Sequence, residues 1–257
     1  MPPRFHTDTP LLAGSTLDLP DNAARHVQVL RLQPGDAITL FDGRGGQWQA
    51  EVLVMERKRV TVRLLAHAPV ECELATSVTL ALGMPANERM DSLVEKATEL
   101  GVAHITPLVC ERSVLRLDGE RAQRKAAHWQ AIAVAACEQS GRNRVPQVLA
   151  PVALRTWLAG LPAAQASAHR LQLSLAPGSP ALAAVLAAVL AAAPAEATGA
   201  QAATSITLLS GPEGGLSPAE MALAQASGFH PVSLGQRVLR ADTAPLAALA
   251  VIGCLAP

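Results

Sequence analysis

The residues best suited to chemistry lie between Leu208 and Glu220, which read Leu-Leu-Ser-Gly-Pro-Glu-Gly-Gly-Leu-Ser-Pro-Ala-Glu. Gly211, Gly214 and Gly215 let the backbone take positive φ and bring bare N–H groups close to a bound molecule. Ser217, Pro218 and Glu220 supply an N-cap, a first-turn proline and a capping-box acid for the helix that follows. The apolar run from Ile206 to Leu209 reads as an interior strand feeding this turn. Taken alone, the segment reads equally well as a tight strand-to-helix turn that binds nothing. A second copy of the device tips the balance. Val232 to Leu234 forms a short strand, Gly235-Gln236-Arg237-Val238-Leu239-Arg240 a loop, and Asp242 or Thr243 a cap for a last helix whose apolar stretch runs from Leu246 to Leu255. Two consecutive strand-loop-helix units imply neighbouring parallel strands, so both loops open at the carboxyl edge of one sheet, where open α/β folds bind ligands. The two loops are expected to share one pocket.

The elements that position these loops follow from the alternation of apolar runs and turn residues. Val78 to Leu82 is a strand, and the helix after it sets Met90, Leu93, Val94, Ala97 and Leu100 on one face before Gly101 ends it. Ile105 to Val109 returns as a strand, residues 121–139 as a helix with Trp129, Ile132, Ala133 and Ala136 inward, and Leu171 to Leu175 as a further strand before an alanine-rich helix from Ala181. This βα alternation predicts an α/β domain with a mostly parallel sheet and helices on both faces. Residues 1 to about 70 read differently. Turn signals at Gln33-Pro34-Gly35-Asp36 and Asp42-Gly43-Arg44-Gly45-Gly46 separate strands at 37–41, 48–55 and 60–65, the signature of a small antiparallel barrel or sheet. The boundary is expected between Pro69 and Thr76, giving domains of 1–72 and 73–257. Residues 195–203 read as a variable insertion.

Composition narrows the function classes. The formal net charge is zero across 257 residues, so a nucleic-acid partner must be met by a local patch and not by a global field. Of the 21 basic residues only Lys58, Lys96 and Lys125 are lysine. Arginine suits phosphate through its planar fork, although such a bias also follows from a GC-rich genome. Cys72, Cys110, Cys137 and Cys254 have no metal-ligand spacing and are expected to be buried, reduced thiols, with no metal. No signal core or membrane-length apolar run is present, and a soluble cytoplasmic protein is expected.

Several ordered segments together resemble the bacterial 16S ribosomal RNA (uracil-N3)-methyltransferase family, of RsmE type, within the SPOUT or trefoil-knot superfamily. They are His26-Val27-Gln28-Val29-Leu30-Arg31, Gly35-Asp36, Leu40-Phe41-Asp42-Gly43, the run 95–102 from Glu95-Lys96-Ala97-Thr98, and Ala136-Cys137-Glu138-Gln139-Ser140-Gly141-Arg142-Asn143-Arg144-Val145-Pro146. The Gly211 to Gly215 loop and residues 234–244 complete the set. The resemblance implies a PUA-like RNA-binding β domain followed by a catalytic domain whose final segment forms a trefoil knot around S-adenosylmethionine. It also implies a homodimer that methylates N3 of one uridine near the 3′ end of 16S ribosomal RNA in the small ribosomal subunit. Two positions depart from the family pattern: Asp242 stands where glutamate is usual, and Arg89 where lysine is common.

The resemblance also assigns roles. Leu209, Gly211, Glu213, Gly215, Leu234, Gly235, Val238 and Leu239 are expected to enclose the cofactor, largely through main-chain groups. Glu213 is otherwise explained by closing its own turn. N3 of uracil has no available lone pair until its proton leaves, so the chemistry requires stabilising an anion spread over O2 and O4. Arg240, then Arg237, are the candidates for that partner. Asn143 is a candidate for reading the imide edge and Glu138 for a general base, though Glu138 equally reads as half of a structural ion pair. Arg25, His26, Arg31, Arg124 and Arg142 are the expected RNA contacts, joined by the 57–59 tip and by Arg112, Arg116, Arg121 and Lys125. The competing readings are a SPOUT methyltransferase acting on another RNA, and a noncatalytic ribosome-binding or assembly factor.

Overall fold

The computed structural model describes residues 2–57, 59–86, 88–163, 167–191 and 204–255. Lys58 and the expected insertion at 195–203 lie outside them. The chain divides into two compact units, Met1–Glu73 together with Val134–Val145, and Leu74–Ala133 together with Pro146–Pro257.

In the first unit, strands β1 (Arg4–His6), β2 (Thr16–Asp18), β3 (Ala37–Phe41), β4 (Gln47–Met55) and β5 (Val60–Ala68) form a sheet in the order β1-β3-β4-β5-β2. The β3–β4, β4–β5 and β2–β5 pairs are antiparallel, and β1 runs parallel to β3. Register shifts at Trp48/Ala50 and Val52/Val54 bend the long β4–β5 ladder. Alternate residues Val60, Val62 and Leu64 face a core that includes Phe5, Ile38 and Leu40.

The turn and alternation signals locate β3, β4 and β5 to within a few residues, but they miss helix α1 (Asp21–Val29), which lays Ala23, Ala24 and Val27 on that core. The signal was present, since Pro20-Asp21 marks a helix start and these three apolar positions share one helical face. The helix ends in a Schellman motif, with the Leu32 N–H donating to Val27 O and the Arg31 N–H to Gln28 O. Arg31 therefore sits at φ +57°, a left-handed conformation that glycine usually takes.

The second unit alternates strands and helices through β6 (Ser77–Gly83), α2 (Glu88–Glu99), β7 (His104–Val109), α3 (Gly119–Ser140), β8 (Gln147–Val148), β9 (Val152–Ala153), α4 (Leu154–Ala159), β10 (Ala168–Leu173), α5 (Leu182–Ala191), β11 (Ser205–Ser210), α6 (Pro218–Ala226), β12 (His230–Val232) and α7 (Thr243–Leu255). Among the described residues every strand pair of this unit is parallel, in the order β12-β10-β11-β6-β7-β8, with β9 paired further along β7. Strand alternation feeds two cores. Val78, Leu80 and Leu82 join residues of α2, α5 and α7 on one face, while Ala81, Leu108 and Leu209 join Leu154 and Leu158 of α4, Ala224 and Phe229 on the other. The expected α/β architecture with covered faces is therefore present.

One expectation fails. The two strands ahead of the candidate loops, β11 and β12, are not neighbours: β10 lies between them and pairs with both. Consecutive units become adjacent only when no earlier strand has taken the intervening place, and residues 168–173 take it here. From edge strand β12 the chain then travels back past β10, so that α7 packs on α2, α5, β6 and β11. The expected burial of all four cysteines also fails in part, because Cys110 and Cys137 are buried while Cys72 and Cys254 are exposed. Among the described residues no helix is long and apolar enough to cross a membrane.

Candidate active site

At the carboxyl ends of β10, β11 and β12 three chain segments enclose a cavity of about 720 Å³. Its walls are residues 172–176 from the end of β10, 210–216 from the end of β11, and Leu234, Gly235 and 237–241 after β12, with Met221 and Ala244 from the two helices that follow. This volume suits a single nucleotide-sized ligand, since such pockets run from about 300 to 1,000 Å³.

The β11 loop is held rigidly by non-local bonds. Ser217 caps α6 by accepting from the Glu220 N–H at 3.2 Å, while Glu220 accepts from the Ser217 N–H at 2.9 Å, completing the expected capping box. Glu220 is only 2% exposed and also accepts from the Glu111 N–H at 2.8 Å. Within the turn the Gly215 N–H donates to Pro212 O at 2.8 Å. Arg112 donates to Gly214 O at 3.0 Å, and Glu213 accepts from the Ala86 N–H at 3.0 Å and from Arg89 at 3.4 Å. Glu213 thus ties the loop to the β6–α2 connection instead of closing its own turn, and Arg89 serves as its cationic partner. Gly211 allows close approach: a Cβ there would lie 2.9 Å from Leu216 N.

In the β12 loop Gly235 takes φ +104°, and Ser233 Oγ accepts from the Gly235 N–H at 3.1 Å. The Arg240 carbonyl accepts from the N–H groups of Thr243 and Ala244, both at 3.0 Å, which locks the backbone of Arg240 against the start of α7. Its guanidinium, like that of Arg237, is exposed on the cavity wall and engages no described residue. Two cations without counter-charge beside an apolar, glycine-built cavity form an anion-seeking rim. Val238 lines the same rim and is 79% exposed. Asp242 precedes the first residue of α7, where a cap is expected, but its Oδ1 is buried with no hydrogen-bond partner among the described residues.

Of the eight residues expected at the cofactor, Gly211, Glu213, Gly215, Leu234, Gly235, Val238 and Leu239 line this cavity. Leu209 does not; it is wholly buried in the core beneath, and the wall begins at Ser210. Sequence reasoning missed the third wall, residues 172–176, because nothing in a short apolar strand announces that a ligand lies at its end.

Glu138, Arg142 and Asn143 belong to the first unit, where their polar atoms hold the fold. Arg142 is 3% exposed and pairs with both carboxylate oxygens of Glu73. Asn143 is fully buried, donating to Val70 O at 2.6 Å and accepting from Arg4 at 2.7 Å. Burial pulls the pKa of Arg4 below the arginine value, although the charge of nearby Glu138 opposes this. Glu138 accepts from the His6 N–H at 2.9 Å and lies 3.8 Å from His26 Nδ1. Arg25, His26 and Arg31 are exposed on the same unit, while Arg124 is exposed on α3 in the second.

A second polar cluster was not anticipated. Asp91 of α2 accepts from Trp129 Nε1 at 2.9 Å and meets His128 Nε2 at 2.8 Å, both on α3. Burial alone would raise the Asp91 pKa, but these two hydrogen bonds outweigh it and hold the carboxyl below its ordinary value. Among the described residues no group of three His, Cys, Asp or Glu side chains could hold a metal ion.

Comparison with known proteins places this geometry. Residues 72–253 match the RNA methyltransferase domain family and residues 19–65 the RNA methyltransferase PUA domain. The chain is 37% identical to ribosomal RNA small subunit methyltransferase E of Synechocystis over 228 residues, 89% of this chain and 69% of the relative. It is also similar to the crystal structure of ribosomal RNA small subunit methyltransferase E from Neisseria gonorrhoeae bound to S-adenosyl methionine. That match has a TM-score of 0.84 at 36% identity and covers 99% of this chain and 98% of that one. A putative methyltransferase from Legionella pneumophila, in complex with the same cofactor, matches with a TM-score of 0.84 at 32% identity over 99% and 98%. The chain therefore belongs to the RNA methyltransferase family, of the ribosomal RNA small subunit methyltransferase E type, with the SPOUT fold.

Proposed function

We propose that the protein methylates N3 of a uridine near the 3′ end of 16S ribosomal RNA in the small ribosomal subunit, as a homodimer, using S-adenosylmethionine. The observation that carries this reading is the cavity walled by loops after three parallel strands and rimmed by Arg237 and Arg240. Its dimensions and its apolar, glycine-lined walls fit an adenosine-bearing cofactor. When bound, S-adenosylmethionine supplies the electrophilic methyl group. Gly211, Gly215, Leu234, Gly235 and Leu239 hold the cofactor, and Val238 at the rim helps exclude water.

Arg240 stabilises the uracil anion, its side chain leaving from a backbone pinned to the start of α7, and Arg237 takes a flanking phosphate or shares that charge. A positive charge brought beside the ring lowers the pKa at N3 and so favours loss of its proton. Glu138 and Asn143 act as positioning residues for the first unit, as does Arg142. Arg25, His26, Arg31 and Arg124 contact RNA phosphates, which makes binding steeply dependent on salt.

The test is transfer of label from tritiated S-adenosylmethionine to small ribosomal subunits from a strain lacking the gene, with nucleoside analysis of the product. A single 3-methyluridine site, lost in Arg240→Ala with cofactor binding retained, is expected. No labelled subunit, or label in another nucleoside, would overturn the assignment.

A further inference from the structure

Among the described residues four buried side-chain atoms have no hydrogen-bond partner: Arg4 Nε, Ser140 Oγ, Gln172 Oε1 and Asp242 Oδ1. Only Gln172 lines the cavity. It sits next to last in β10, in register with Leu209 on one side and Pro231 on the other, and is 4% exposed. A buried amide oxygen left unpaired is costly, and polar groups so placed are normally satisfied. At this position on the cavity wall a bound ligand is in reach to supply the missing donor.

A primary amide offers an acceptor and a donor side by side. Adenine presents the complementary pair, a 6-amino donor next to a ring-nitrogen acceptor, which is why glutamine and asparagine read adenine bidentately. The walls after β11 and β12 offer main-chain donors and acceptors, and Gln172 adds to them a side-chain amide that can tell one purine from another. We propose that Gln172 is the residue that selects adenine in the cofactor, its Oε1 accepting from the 6-amino group and its Nε2 donating to the adjacent ring nitrogen. This rests on the cofactor reading above and adds a specificity residue to it.

The experiment measures calorimetric affinity of the full chain for S-adenosylhomocysteine and for its analogue with hydrogen in place of the 6-amino group. Wild type is expected to prefer the amino form by roughly ten- to hundredfold, the discrimination usual for a bidentate amide–base pair. In Gln172→Leu, and in Gln172→Met, which keeps the length of the side chain, the preference should collapse to less than about threefold. Melting curves identify which variant is folded. Equal affinity of wild type for both ligands, or a preference kept in a folded variant, would overturn the proposal. Failure of wild type to bind either ligand would overturn the cofactor reading itself, and this inference with it.

Discussion

Gly83, the last residue of β6, makes a sharp test of how the cavity loop is held. A Cβ at this position would lie 2.4 Å from both Cδ and N of Pro212 and 2.8 Å from the carbonyl carbon of Gly211. Carbon contacts are comfortable only from about 3.5 Å, so in Gly83→Ala something must retreat by roughly 1 Å. The strand cannot yield easily, since Gly83 is in register with Leu108 and the next N–H, of Met84, donates to Leu108 O at 3.1 Å. The loop must move, against the Gly215–Pro212, Ala86–Glu213 and Arg112–Gly214 hydrogen bonds of 2.8, 3.0 and 3.0 Å. Overpacking of this kind costs about 1–3 kcal/mol. At about 2–4 °C per kcal/mol for a unit of this size, the melting temperature should fall by roughly 2–12 °C. A wall displaced by about 1 Å should also lower the single-turnover rate of methyl transfer by up to about a hundredfold. Gly160→Ala is the control, because its nearest atoms would be carbonyl oxygens at 3.6 Å and its φ is −88°. It should be neutral to within about 0.5 kcal/mol. Wild-type melting and wild-type turnover in Gly83→Ala would refute the claim that close contact with β6 fixes the loop.

Other consequences follow from individual contacts. Glu220→Ala removes the acceptor of two backbone N–H groups, at Ser217 and Glu111, and should destabilise the protein by about 2–5 kcal/mol in urea titration, against about 1 kcal/mol for Ser217→Ala. Arg31→Gly relieves a left-handed arginine and should raise stability by about 1 kcal/mol while weakening RNA binding in a filter assay; an unchanged RNA affinity would remove Arg31 from the RNA surface. Burial first of all pushes the Cys110 and Cys137 thiols up to about 12, so a thiol reagent at neutral pH should modify Cys72 and Cys254 alone in the folded chain, as read by peptide mapping. Because the folded pKa of Asp91 is depressed, its contribution to stability is complete above the ordinary carboxylate range and is lost as pH falls through the folded value. Asp91→Asn should flatten that acid limb of a stability–pH curve, and an unchanged limb would show that Asp91 does not contribute to it.

What could be read from the sequence, and what could not, separates along one physical line. The capping box of α6 was legible because Ser217 and Glu220 satisfy each other three residues apart, and the glycine loop because its conformational demands are met within five residues. The two-faced sheet was legible from the alternation within β6 and the helical period of α2. Helix α1 should have been, since Pro20-Asp21 and the Ala23, Ala24, Val27 face are equally local. What was not legible involves partners far along the chain. Arg142 and Asn143 have the residue types of a phosphate grip and a base reader, yet their bonds go to Glu73, Val70 and Arg4, from 69 to 139 residues away. Sequence fixes what such side chains can do, whereas only the fold decides which partner reaches them first. The same reasoning explains the missed wall. Gln172 lies in an apolar strand and would pass for a tolerated polar substitution, until the parallel insertion of β10 between β11 and β12 brings its unpaired oxygen to the cavity. A polar residue that finds no partner within its own fold is therefore a stronger pointer to a ligand than one whose type merely suits the chemistry. By that criterion Gln172 is a better candidate for recognition than Asn143, whose amide the first unit already uses.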